Sequence, residues 1–176
     1  MTLSDLAALG SFISGIAVVF SFVFLALQLR QSNKNQRALM QQGRASRWID
    51  IILNRTEPTV SEAITRAMLG DMSMDGAQVQ TAVIHFCALF WSAEDSYLQH
   101  KAGLLDKAGW ETELSTLRAN LSIPTVRVSW KVNRIAFNEE FRAYVDSLLQ
   151  EIKPLKRPDL LTRWKNMMAQ ELVEAS

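Results

Sequence analysis

The feature that most constrains this chain is an apolar run, Leu6 to Leu29, that contains no ionisable side chain. A bilayer core of about 30 Å needs roughly 20 helical residues, which this run supplies. Its Leu, Ile, Val and Phe side chains favour insertion into a membrane by roughly 4 to 8 kcal/mol. A soluble core helix of this length would show a polar face, and this run shows none. We therefore expect residues 6–29 to form a transmembrane helix. The preceding MTLSD contains no Lys or Arg and no small-x-small cleavage site follows, so we expect an anchor that is retained.

Basic residues on one side of the run predict its orientation. They are Arg30, Lys34, Arg37, Arg44 and Arg47. Lys and Arg mark the cytoplasmic flank of a membrane helix. We therefore expect residues 1–5 to be a short external tail and everything after the run to be cytoplasmic. Lipid charge is screened within about 8 Å at physiological salt, so only the basic residues nearest the run can interact with it. Arg30, Lys34 and Arg37 are therefore expected to anchor the chain at the membrane surface.

Small side chains recur along the run at helical spacing. Gly10, Ser14, Ala17 and Ser21 fall at i, i+4, i+7 and i+11 and so share one face of a helix. In lipid, such a stripe lets helix backbones approach closely. Chance alignment is the alternative interpretation. Our hypothesis is that the stripe contacts a second transmembrane helix, from another copy or from a larger complex.

The remaining segments show the start and stop signals of helices. We expect a basic helical stalk over 30–54, with a break near Gly43 left open, and one compact domain over 55–176. The residues expected to cap or end its helices are Thr59 or Ser61, Gly70, Asp75, Gly103, Asp106, Ser122 with Pro124, Asn138, Pro154 and Pro158. The predicted fold is all-α: a single N-terminal transmembrane helix that continues into a stalk and a small helical-bundle domain.

One carboxylate is predicted to lie among apolar side chains. In the helix expected over 76–101, Glu94 falls in the middle of an apolar face. That face comprises Val79, Val83, Phe86, Cys87, Phe90, Tyr97 and Leu98. The opposite, polar face comprises Gln78, Thr81, His85, Ser92, Ser96 and Gln99. A buried carboxylate is costly unless it is paired.

Two interpretations of Glu94 remain open. In the first, it forms a structural ion pair with Arg127 or Arg134, or it is a carboxylate at the edge of the core. In the second, it belongs to a ligand or proton site whose pocket includes Tyr97 and Trp130. The hypothesis to be tested is a mostly buried Glu94 that is bonded to an arginine of the segment 124–134.

The other candidates for chemistry are weak. His85 and His100 lack a carboxylate at the spacing of helical metal sites, so they are expected to be surface or capping residues. Cys87 is expected to be a small buried hydrophobic residue. The tryptophans are expected to be core anchors: Trp48, Trp91, Trp110, Trp130 and Trp164. Phosphate-binding, dinucleotide-binding, CxxC and nucleophile-elbow motifs are absent from the sequence. We therefore predict no enzyme activity, no cofactor and no metal.

The stretch from Tyr97 to Leu149 resembles a large set of uncharacterised bacterial proteins that have an N-terminal span and a small helical domain. The matching residues are Tyr97 to Gly103 (YLQHKAG), Leu105, Trp110, Pro124, Arg127, Trp130, Phe137, Phe141 and Val145. The leading LQLRQSNK is also similar to the usual start of that family, although the family often has glycine where this chain has Thr125. The resemblance implies a bacterial inner-membrane protein and no known activity.

These observations together predict a non-enzymatic, single-pass membrane protein that is a subunit or scaffold of a membrane assembly. The expected partners are membrane lipid and either further copies or a larger membrane complex. The alternative is a membrane-tethered ligand sensor or regulator with a pocket near Glu94. Nucleic acid is not expected, because the chain beyond the stalk carries slightly more acidic than basic residues.

Overall fold

The computed structural model describes residues 2–155 and 160–175, and only the backbone at Leu9. Pro158, expected to open the last helix, lies outside them. Helix makes up 86% of the structure, and the part described contains no strand, which confirms the all-α class. The helices are α1 (Leu3–Asn54), α2 (Pro58–Leu69), α3 (Gly76–Lys101), α4 (Lys107–Leu121), α5 (Pro124–Asn133), α6 (Glu139–Glu151) and α7 (Leu160–Glu174). A short 3₁₀ turn, Arg134–Ala136, links α5 to α6.

Three predicted helix starts are confirmed by side-chain caps. Asp75 Oδ1 accepts a hydrogen bond from the backbone N of Gln78 at 2.8 Å, and Gln78 Oε1 accepts from the N of Asp75 at 3.2 Å. This reciprocal capping box satisfies donors that a helix N-terminus leaves unpaired. Asp106 and Asn138 cap α4 and α6 in the expected places. Gly70 adopts a φ of 75° at the end of α2, which explains the glycine there.

The predicted start of α2 is wrong. The helix begins at Pro58, and Glu57 caps it by accepting a hydrogen bond from the N of Val60 at 2.9 Å. Thr59 and Ser61 therefore lie inside the helix. Proline is favoured at the first helical position because its φ is already helical and the N–H it lacks would be unpaired there.

The predicted cap of α5 is also wrong. The helix starts at Pro124, but Ile123 occupies the capping position and makes no side-chain cap. Ser122 instead ends α4, where its Oγ donates to the carbonyl of Ala119 at 2.7 Å. The break near Gly43 that the sequence left open is not present, since α1 runs without interruption to Asn54.

The chain divides into two compact units, Met1–Gly43 and Arg44–Ser176. The first unit is the N-terminal part of α1. An 18-residue window of α1 has a mean hydropathy of 2.3, and none of it is buried. The helix is therefore long and apolar enough to cross a membrane.

In the second unit, α2, α4 and α5 pack against α3, and α6 packs against α4. The largest fully buried side chains include Trp130, Phe90, Phe141, Ile64 and Leu121. Because helices cover more than one side of α3, the prediction of a single buried face is wrong in part. Val79 and Leu98 are exposed, whereas His85, Ser92 and Ser96 are buried.

The last turns of α1 leave their largest aliphatic side chains outside the contact with the other helices. Ile49, Ile52 and Leu53 are each more than half exposed. Side-chain hydrogen bonds and an ion pair join this part of α1 to α3 and α4. Arg44 Nη1 donates to Gln99 Oε1 at 2.8 Å, Arg47 pairs with Asp95, and Trp48 Nε1 lies 3.4 Å from Glu113 Oε1. Arg44, Arg47 and Trp48 therefore lie on the docked face of α1.

Candidate functional site

The small-residue stripe lies on an exposed helix. Gly10, Ser14, Ala17 and Ser21 are all exposed, and a Cβ added at Gly10 would meet no atom within 4 Å. The Ser21 Oγ donates to the carbonyl of Ala17 at 2.8 Å, so its polar hydrogen is satisfied inside the helix. A satisfied hydroxyl can enter an apolar contact at little cost. The stripe is thus free within this unit to receive another helix.

The proposed membrane-surface anchor is exposed as well. Arg30, Lys34 and Arg37 are all exposed on α1. Over residues 2–155 and 160–175, none of the ion pairs involves any of the three. Their positive charges are therefore available to phosphate groups of lipid.

Glu94 joins two helices rather than pairing with an arginine. Its side chain is half-buried, and Oε1 accepts a hydrogen bond from the backbone N of Asn138 at 2.6 Å. Asn138 is the N-cap of α6. A carboxylate at this position satisfies a free N–H and lies at the positive end of the helix dipole. The hypothesis of a mostly buried Glu94 bonded to an arginine is therefore wrong.

Arg127 binds backbone carbonyls at the ends of two helices. Nη1 donates to the carbonyls of Leu121 at 3.3 Å and Ile152 at 2.9 Å, and Nη2 donates to that of Leu149 at 2.9 Å. Leu121 ends α4, and the other two belong to the last turn of α6 and its cap. A cation at a helix C-terminus satisfies unpaired carbonyls and complements the dipole. Arg127 therefore closes two helices and does not neutralise Glu94.

Trp130 is fully buried between aromatic rings. Its centroid lies 4.9 Å from that of Phe90 and 5.8 Å from that of Phe141. The Nε1 donates to Asp146 Oδ1 at 3.0 Å, which satisfies the polar end of the indole. Tyr97 reaches the same cluster from the other side, since its ring lies 5.6 Å from that of Phe141. Tyr97 and Trp130 thus belong to one aromatic cluster, in which both rings pack against Phe141.

Asp146 is a partner that the sequence analysis missed. Its Oδ2 accepts a hydrogen bond from Arg134 Nε at 2.7 Å. The Arg134 guanidinium, helped by the Trp130 indole, holds the pKa of Asp146 below its usual value. The sequence did carry a signal for this partner. A buried indole N–H requires an acceptor, and Asp146 lies on α6 beside the buried Val145.

His85 was expected to be a surface or capping residue, and that expectation is wrong because it lies buried in the middle of α3. The residue is only 5% exposed, and no described residue bonds its Nε2. Burial lowers its pKa to about 4, helped by the positive charge of Arg55, so the ring is neutral at pH 7. His85 borders a cleft whose other lining residues are Asp50, Ile51, Asn54, Val60, Thr81, Ile84 and Ala88. No sequence signal marked it, because helical projection placed it on the polar face.

The buried imidazole predicts acid sensitivity. The unfolded chain takes up a proton near the ordinary pKa of 6.5, whereas the folded chain does so only near 4. Acidification between these values therefore favours unfolding. We expect the contribution of His85 to the free energy of unfolding to fall by about 2 kcal/mol between pH 7 and pH 5. The measurement is the free energy of unfolding between pH 7 and pH 5, for the full chain and for its His85→Gln variant, in non-ionic detergent. Parallel pH profiles for the two chains would contradict the prediction.

The remaining candidate residues, a cysteine, a histidine and the tryptophans, either pack inside the domain or lie exposed. Cys87 is buried, burial raises the pKa of its thiol, and the prediction of a small buried hydrophobic residue is confirmed. His100 is half-buried, with Nδ1 3.3 Å from the carbonyl of Leu105 and its ring stacked on Trp110. Trp110 and Trp130 are core anchors as expected, whereas Trp91 and Trp164 are exposed. In the part of the chain described, no cluster of three or more His, Cys, Asp or Glu could hold a metal ion.

These contacts describe a well-packed helical unit and an exposed apolar helix. No protein family, curated protein or solved structure matches the chain. The resemblance to bacterial proteins with one span and a helical domain therefore stays a prediction.

Proposed function

We propose that this protein is a non-enzymatic, single-pass membrane protein that acts as a subunit or scaffold of a membrane assembly. The apolar part of α1 is the anchor, its stripe associates laterally, and the helical-bundle domain docks a partner. The observation that carries the proposal is that no residue in the apolar window of α1 is buried. Each exposed Leu, Ile, Val or Phe forfeits part of the about 1.5–3 kcal/mol that full transfer out of water would give. Lipid is the solvent that removes this penalty.

The proposed location is the bacterial inner membrane, with the N-terminus outside and the helical domain in the cytoplasm. The exposed Arg30, Lys34 and Arg37 support this orientation, because basic flanks remain on the cytoplasmic side. A docking surface is supported by the exposed Ile49, Ile52 and Leu53 of α1. Apolar side chains that remain outside a completed core are available to a partner.

The non-enzymatic part of the proposal is supported by how the polar candidates are used. Glu94 binds the start of α6, and Arg127 binds the ends of α4 and α6. These contacts occupy both side chains in stabilising the domain.

A ligand sensor is the second candidate, and its pocket would lie at a different place from the one expected. Glu94 is bonded to the start of α6, and Tyr97 and Trp130 pack against rings. The cleft beside His85 is the better place for a ligand, since it combines polar and apolar lining residues. Purification from native membranes separates the candidates. A stoichiometric protein partner or symmetric oligomer supports the scaffold, and a bound small molecule supports the sensor.

The stripe gives the direct test of lateral association. We expect the double substitution Gly10→Leu and Ser14→Leu to dissociate the assembly, because leucine side chains hold helix backbones apart. The measurement is particle mass by native gel and by light scattering in mild detergent. The matched control is Val19→Leu on the opposite side of the helix, which should leave the mass unchanged. An unchanged mass for the double variant would defeat lateral association through this face.

A further inference from the structure

The geometry points to α7 as a second membrane contact: its apolar face lies on an anionic lipid surface, with the helix parallel to that surface. This inference rests on the proposed membrane anchor, which keeps the domain within reach of lipid. It adds a specific lipid-binding element that the anchor does not require.

The first observation is an apolar face on α7 that the described residues leave uncovered. At 100° per residue, six apolar side chains of this helix fall within less than half of its circumference. They are Leu160, Leu161, Trp164, Met167, Met168 and Leu172, and each is more than a third exposed. Across its span from Leu160 to Glu174, α7 has no buried residue. A helix with one apolar and one polar face that remains outside the core is typical of interfacial membrane helices.

The second observation is the charge around that face. Arg163 and Lys165 lie on α7 on opposite sides of the apolar face, where long basic side chains can reach lipid phosphates. Lys153, shortly before the helix, is exposed and adds a third basic side chain. Clustered Lys and Arg beside an apolar helix face attract anionic headgroups. This complementarity selects an anionic lipid surface over a neutral apolar groove.

Glu171 sets the limit of the contact. It projects near the middle of the apolar face, but in the last turn of α7. A carboxylate is repelled by anionic headgroups and is costly in hydrocarbon. The lipid contact therefore covers the first turns of the helix, from Leu160 to Met168, and the helix leaves the lipid near Glu171.

The test uses the full chain in lipid nanodiscs. A Cys87→Ala background carries a single new cysteine, either Leu161→Cys on the apolar face or Asn166→Cys on the opposite face. Each is labelled with a small environment-sensitive fluorophore. The discs contain phosphatidylcholine alone, or a 7:3 mixture with phosphatidylglycerol, and a spin-labelled lipid that quenches fluorophores near the bilayer.

In discs with phosphatidylglycerol, we expect at least threefold stronger quenching at position 161 than at position 166. The difference should fall at least twofold in 0.5 M NaCl, because salt screens the lipid charge. It should also fall at least twofold in the double variant Arg163→Glu and Lys165→Glu. The control variant Lys107→Glu with Lys131→Glu changes the net charge by the same amount on other helices and should leave the difference unchanged.

Two results would overturn the inference. Equal quenching at both positions would place neither face of α7 on lipid, and energy transfer between labelled copies would then identify a second copy as the occupant. Equal quenching in the two kinds of disc would remove the anionic requirement. Failure of the proposed membrane anchor gives a different result from failure of the α7 contact. In that case the full chain would remain soluble without detergent and would not enter the discs.

Discussion

Replacing Trp130 with alanine is expected to lower the free energy of unfolding of the full chain by about 4 kcal/mol. Trp130 is fully buried, and its ring packs against those of Phe90, Phe137 and Phe141. Truncation removes the apolar transfer energy of the indole and leaves a cavity that the neighbouring rings fill only in part. It also removes the donor to Asp146.

The measurement is urea unfolding of the full chain in non-ionic detergent, followed by circular dichroism. The matched control is Trp91→Ala on α3, because Trp91 is 53% exposed and makes a single ring contact, with Phe137 at 6.3 Å, among the described residues. We expect this control to lose no more than about 1 kcal/mol. Similar losses for the two tryptophans would contradict the aromatic core described above.

Replacing Arg127 with methionine is expected to lower the free energy of unfolding by about 3 kcal/mol. Methionine retains much of the aliphatic stem but leaves the carbonyls of Leu121, Leu149 and Ile152 without their donor. Each hydrogen bond to a charged group contributes about 1.5–3 kcal/mol, and the three bonds share one guanidinium, so their contributions do not simply add.

Two further variants make this test specific. Arg127→Lys should recover only part of the loss, since one ammonium cannot reproduce the planar fork that reaches the ends of two helices. Lys131→Ala removes a positive charge from an exposed position on the same helix and should change the free energy of unfolding by less than about 0.5 kcal/mol. Equal effects of Arg127→Met and Lys131→Ala would show that charge alone, and not the bonds to carbonyls, stabilises the domain.

Local chemistry made much of the fold predictable. The starts of α3, α4 and α6 follow from Asp75, Asp106 and Asn138, because each cap bonds a backbone N–H only two or three residues away. The apolar helix at the N-terminus was predictable for the same reason, since length and composition are local properties. Glu57 replaced the predicted cap of α2 because several nearby residues could reach the same free N–H groups.

The candidate site was less predictable than the helices. Helical projection placed His85 on a polar face, yet the helices around α3 bury it. Charge alone suggested that Glu94 pairs with Arg127, whereas both residues bind helix ends. Backbone groups at helix ends compete with side chains for polar partners, and projection of a single helix does not include them.

The sequence by itself determined that this chain is helical and that one helix is apolar enough to enter lipid, because periodicity, capping and hydropathy act within a few residues. Tertiary structure alone decided which face of each helix is covered and which partner each polar side chain binds. Arg127 reaches α6 across 25 positions of sequence, and Arg44 reaches Gln99 across 55. Such pairings depend on how helices pack around α3, and packing is a property of all the surfaces together.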